Sequence, residues 1–224
     1  MNTPSQEKEY VKDEIRKEFQ LERMILFSDA VFAIVITLMA IEIHVPDNIR
    51  FDSDEALRET LFHLLPNMIA YTVSFIFIGF TWYQHLQLFS LLKDYNKGLV
   101  VRNLALLFFI GLFPFCASLI ARPSHGTFIA VIIYFSIIVI CRTAQLMLQH
   151  YILVKSPHLR IRSDIHDEMI SFKKSRIVVV LLVIMFTGMS ITSYFIDDPD
   201  QRAFAWFWFF PFPLIIRYVK KRMR

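Results

Sequence analysis

Ser28 and Asp29 stand side by side in an apolar run where Asp29 is the only charge between Met24 and Ile41. A carboxylate in that setting has two uses. It can accept hydrogen bonds that tie its helix to neighbours, or it can hold a proton or cation beside a water-filled surface. Candidate donors lie at the same depth. Arg23 precedes the run, and His85 closes a second apolar run. Donation from Arg23 or His85 would make a buried Asp29 tolerable, whereas a His85 exposed in the headgroup zone would leave it to other partners. A second buried charge is Arg142, which lies near Gln145 well inside a later apolar run. It should face the bundle interior and be paired, with Glu42 a candidate by charge.

The element that must position Ser28 and Asp29 is the stretch 24–45, long enough to cross a hydrocarbon core of roughly 30 Å as a helix. At 100° per residue, Phe27, Ile34, Leu38, Ile41 and Val45 form one aliphatic and aromatic stripe. Ala30 and Thr37 lie at its edge, and Ser28 and Asp29 point away from it. Five further apolar runs follow, at about 62–89, 103–121, 127–153, 176–196 and 203–219. The expected fold is therefore an all-α integral membrane protein of six transmembrane helices. The last run holds Pro211 and Pro213 and should be kinked. Trp206 and Trp208 near its start suit an interfacial aromatic belt.

Composition agrees with that class. The 224 residues are 55% hydrophobic with a mean hydropathy of +0.47. Both cysteines, Cys116 and Cys141, sit in apolar runs, so a disulfide framework or a zinc site is not expected. Residues 1–22 lack the apolar core of a signal peptide. Instead Val11, Ile15 and Phe19 recur at helical spacing among charges, and Asp13 and Lys17 are spaced as a helical pair. Either a short amphipathic helix at the interface or a frayed charged tail fits this segment. It is expected as a unit of its own, 1–22, ahead of a channel domain at 23–224.

Charge gives an orientation. Nineteen of the 24 Lys and Arg residues fall in the N-terminal segment, the 90–102 and 154–176 loops and the tail. Four, Arg50, Arg58, Arg122 and Arg202, fall on the other side. By the positive-inside rule both termini are cytoplasmic and the protein sits in the cell membrane. The net charge of +4 then reflects membrane topology, and no nucleic-acid partner is expected. The opposite side carries Asp47, Asp52, Asp54, Glu55, Glu59, Asp197, Asp198 and Asp200. This is either a cation-concentrating rim or ordinary solvated loop.

Several chemistries are absent from the sequence. No TVGYG-like segment offers a filter of backbone carbonyls, and no arginine ladder offers a voltage sensor. Protease, hydrolase and nucleotide-binding motifs and Cys/His metal clusters are missing. Neither an enzyme nor a cofactor is expected.

The pattern Arg23-x-x-x-Phe27-Ser28-Asp29 followed by VFAIVITLMAIEIHVP resembles the first helix of the lysosomal-type potassium channels, the transmembrane protein 175 family. Trp82-x-x-His85 is similar to the end of that family's second helix, although Leu86 stands where a second His often follows. Asn103 and the Pro114-Phe115 pair match the opening and bend of its third helix. The resemblance covers the first three spans well and the rest only in layout. No second copy of the motif is present, so the chain resembles the short prokaryotic form, which assembles as a homotetramer.

What the resemblance implies is a potassium-permeable channel for monovalent cations, with the first helix lining a central pore in a symmetric oligomer. Rings of Ile34, Leu38 and Ile41 would form a hydrophobic constriction, narrowest at Ile34, with Thr37 tuning selectivity beside it. Arg23, Phe27, Ser28, Asp29, Trp82 and His85 would anchor the pore helix. Two other classes stay open. One is a secondary transporter or proton pathway using Asp29, Glu42 and Arg142. The other is a membrane scaffold whose stripe merely packs.

Overall fold

The computed structural model describes residues 4–41, 43, 53–121, 128–161 and 165–196. They form six α-helices: α1 (Pro4–Ile41), α2 (Asp54–Phe89), α3 (Lys97–Gly111), α4 (Phe113–Ala121), α5 (Phe128–His150) and α6 (His166–Phe195). Among these, four stretches are long and apolar enough to cross a membrane, or five if the bent α2 counts as one span. The apolar run at 203–219, the tail after it, Glu42, and the acidic residues 47, 52, 197, 198 and 200 lie outside the described residues.

α1 runs without a break for 38 residues, so the charged leader and the first span are one helix. No Pro or Gly interrupts residues 5–41, and nothing in the change from polar to apolar side chains ends a backbone ladder. α2 begins earlier than its apolar run. Ser53 caps it, its side chain accepting from the Ala56 N–H at 3.2 Å, with Asp54 and Glu55 in the first turn. A 45° bend separates 54–62 from 67–89, across a stretch that holds Pro66.

The third span is likewise broken, between α3 and α4. The break falls at Leu112, just ahead of the Pro114-Phe115 pair that marked it in the sequence. Pro114 cannot donate a helical N–H and crowds the turn before it, so the ladder gives way there. α6 starts ten residues before the expected 176, because Met169 and Phe172 pack into the core and carry the helix through polar sequence.

α1 packs against α2, α3 and α4, α5 against α3 and α4, and α6 against α5. The core between them is a continuous cluster including Phe32, Met39, Ile78, Phe113, Cys141 and Leu148. At one end the connections are tied together, and Lys93, Lys97, Arg102, Lys155 and Arg160 lie on or beside them. The Lys93 N–H donates to the Leu159 carbonyl and the Ile161 N–H to the Leu91 carbonyl, both at 2.8 Å. Lys17 of α1 reaches Asp94 at 3.8 Å.

Candidate functional site

α1 has two unlike long faces. Leu21, Ser28, Phe32, Val35 and Met39 are buried against the neighbouring helices. Opposite them, Ile34 is 56% exposed, Leu38 45% and Ile41 70%, and Phe27 is exposed as well. Ala30, Ala33 and Thr37 complete the uncovered arc. The Thr37 hydroxyl donates back to its own helix, at 2.8 Å from the Ile34 carbonyl and 3.1 Å from that of Ala33. Its oxygen keeps lone pairs that can only accept, which is the polarity a cation needs.

Three helices meet at the Ser28-Asp29 pair through two separate hydrogen-bonded groups. In the first, the Asn103 amide of α3 stands between α1 and α2. Its Nδ2 donates to Ser28 Oγ at 2.8 Å, and its Oδ1 accepts from His85 Nε2 at 2.8 Å. Ser28 Oγ in turn donates to the Met24 carbonyl at 2.8 Å. The His85 ring is buried, stacked on Phe89 at 3.9 Å and tilted against Phe32 at 5.6 Å. In the second group, Trp82 Nε1 donates to Asp29 Oδ1 at 2.8 Å.

This assigns the donor to Asp29 differently from the sequence reading. Trp82 fills that role, not Arg23 or His85. The physical reason is the half-buried position of Asp29, at the rim of the helix contact, where the indole N–H reaches it and the imidazole, deeper in, does not. Arg23 is exposed and lies over the Phe19 ring at 5.9 Å. His85 is fully enclosed rather than in a headgroup zone. Asn103 was legible as the head of a span but not as the hub of a network. A lone amide in an otherwise apolar helix was the available signal.

Arg142 is buried on α5, and its Nη1 donates to Gln84 Oε1 of α2 at 2.8 Å. Phe80 lies under the guanidinium at 5.9 Å. Among the described residues no carboxylate pairs with it, and Glu42 is not one of them. Its helix neighbour Gln145 is buried with neither side-chain polar atom hydrogen-bonded among the described residues. Between α2 and α5, the Ser74 and Tyr134 hydroxyls lie 2.5 Å apart. No cluster of metal-ligating side chains occurs among the described residues.

Residues 23–114 match the sequence profile of the endosomal/lysosomal potassium channel TMEM175 family. A potassium channel from Chryseobacterium sp. (strain P1-3) is 38% identical over 103 residues, 46% of this chain and 50% of the relative. One from Streptomyces collinus is 31% identical over 140 residues, 61% of this chain and 66% of the relative. The Gallus gallus endosomal/lysosomal proton channel TMEM175 is 35% identical over 113 residues, 47% of this chain and 23% of that one. The chain spans half to two thirds of the length of the bacterial relatives it matches.

The fold matches the crystal structure of a lysosomal potassium-selective channel TMEM175 homologue from Chamaesiphon minutus. The TM-score is 0.67 at 24% identity, covering 92% of this chain and 98% of that one. The matched segment holds the whole Ser28–Asn103–His85 and Asp29–Trp82 arrangement on membrane-length helices. The chain is thus a multi-pass membrane protein that shares this fold, with residues 23–114 similar to the TMEM175 family.

Proposed function

We propose that this chain is a potassium-permeable cation channel, built as a symmetric homotetramer of six-helix subunits around α1. One observation carries the reading: the Ile34, Leu38 and Ile41 stripe is uncovered on the subunit, whereas the opposite face of the same helix is sealed by its neighbours. Closed rotational symmetry is the ordinary way for identical subunits to turn such a face into an axial pore. Support also comes from bacterial relatives named as potassium channels.

In this arrangement Ile34, Leu38 and Ile41 make apolar rings, narrowest at Ile34. Such rings offer no oxygen to replace an ion's water shell, so conduction follows wetting of the neck. Thr37 supplies the one hydroxyl oxygen beside it. The Asn103 hub and the Asp29–Trp82 bond hold α1 in rotational register, with Arg23 and Phe27 at the helix entrance. Both termini are cytoplasmic.

A relay through Asp29, Glu42 and Arg142 has less support. Asp29 binds Trp82 and Arg142 binds Gln84, in two unconnected hydrogen bonds. Proton passage through the same pore is a separate matter, and the vertebrate relatives named as proton channels make it worth measuring.

The test is potassium flux into vesicles holding the purified chain. Ile34→Asn should raise flux and blunt discrimination against sodium, because a polar ring keeps the neck wet. Val35→Asn should instead reduce the yield of folded protein, since Val35 is 4% exposed and packs inside the subunit. Unchanged flux in an assembled Ile34→Asn protein would overturn the assigned pore stripe.

A further inference from the structure

The geometry points to a binding site for an anionic phospholipid headgroup, independent of the pore, in a cleft between α3, α5 and α6 at the basic end of the bundle. The cleft has a volume of about 460 Å³. That lies within the range of small-molecule sites. Three elements bring cations to it: Arg102 from α3, Lys155 from the π-helical turn Tyr151–Lys155 after α5, and Arg176 from α6. His150 lines it too, tilted against Phe172 at 6.0 Å.

No carboxylate lines this cleft, and among the described residues none pairs with Arg102, Lys155 or Arg176. Three like charges drawn together without a counter-ion repel one another, and a bound anion relieves that repulsion. Arg102 is fixed in place. Its Nη1 donates to the Gly98 carbonyl at 2.8 Å, and its guanidinium lies 4.0 Å over the Tyr151 ring. Part of its donor fork is therefore left for phosphate oxygens. Lys155 and Arg176 are exposed and can close on the same anion.

The lining is also amphipathic. Met147 is 60% exposed one turn deeper along α5 than His150, and Phe172 faces the cleft from α6. A free phosphate has no use for that apolar wall. A glycerophospholipid places its phosphate among the cations and its first acyl carbons along Met147. The depth agrees, since Lys155 ends the apolar span Ile129–Lys155 and Arg176 opens the apolar run 176–196 within α6, where headgroups lie.

The test titrates the purified full chain, in a neutral detergent, with phosphatidylglycerol, phosphatidylcholine or inorganic phosphate. Bound lipid is read by native mass spectrometry and stability by the thermal midpoint. Phosphatidylglycerol should be retained and raise the midpoint, while the other two should not. Lys155→Gln with Arg176→Gln should weaken phosphatidylglycerol binding on the order of 30-fold, from two surface cations near a charged headgroup. The charge-keeping pair Lys155→Arg with Arg176→Lys should restore it. Lys93→Gln with Lys173→Gln, which removes the same charge from exposed positions outside the cleft, should leave binding intact. Equal loss in both neutralised pairs would reduce the effect to general surface charge and overturn the site. So would equal binding of phosphatidylcholine, or stabilisation by inorganic phosphate that matches the lipid.

Discussion

Asn103→Ala is the sharpest probe of how α1 is held. Asn103 is 1% exposed and makes two interhelical bonds of 2.8 Å, one to each neighbour. Hydrogen bonds between membrane helices average about 0.6 kcal/mol each, so losing two costs about 1.2 kcal/mol. The loss of Ser28's bond stops there, because its hydroxyl keeps the Met24 carbonyl. His85 fares worse. Its ring stays buried between Phe32 and Phe89 with a donor that has lost its acceptor. An orphaned buried donor adds about 1–3 kcal/mol. The expected destabilisation is about 2–4 kcal/mol, read from unfolding in mixed micelles at graded denaturing detergent. Most of it should vanish in a His85→Leu background, where no donor is orphaned. A cost below about 0.5 kcal/mol, or additivity of the two changes within about 0.5 kcal/mol, would refute the hub.

Gly98→Ala should loosen the basic end, because a Cβ at Gly98 would run into the Tyr151 ring. Faster proteolysis or hydrogen exchange in the 90–102 segment, with α6 unaffected, is the readout. Gln84→Leu removes the described partner of buried Arg142 and should destabilise by about 1.5–3 kcal/mol, the range for hydrogen bonds to charged groups; normal thermal stability would show that Arg142 has a stronger partner elsewhere. A thiol introduced by Lys173→Cys, on an exposed site before the apolar part of α6, should react only from the cytoplasmic side. Labelling from outside intact cells would reverse the topology.

The spans were legible because lipid demands long apolar runs, and the described helices cover most of the first five of the six runs read from hydropathy, the sixth lying outside the described residues. Their ends were less so. Polar sequence continues a helix as readily as it ends one, which is why α1 reaches back to Pro4 and α6 to His166. The two faces of α1 could be drawn from residue spacing, since period alone separates Ile34 from Phe32. Partners could not be drawn that way. Whether Trp82 or His85 reaches Asp29 depends on the relative rotation of α1 and α2, a few ångströms that composition does not encode. Asn103 joins Ser28 across 75 positions, and Arg142 joins Gln84 across 58. Each was visible as a polar residue in the wrong solvent, but neither announced which neighbour it would meet.

The unbroken α1 also has a mechanical meaning. Thirty-eight residues at a rise of 1.5 Å make a rod of about 57 Å, nearly twice the thickness of the hydrocarbon core. With no hinge between the two halves, the protruding half works as a crank. A twist applied to it turns the membrane half by a comparable angle, whereas a jointed leader would absorb the motion. The Lys17–Asp94 contact sits partway along that lever, at a surface-exposed ion pair that salt weakens. A partner or a change of ionic strength acting there has a rigid shaft to push on, leading to Ile34 about 25 Å away along the helix.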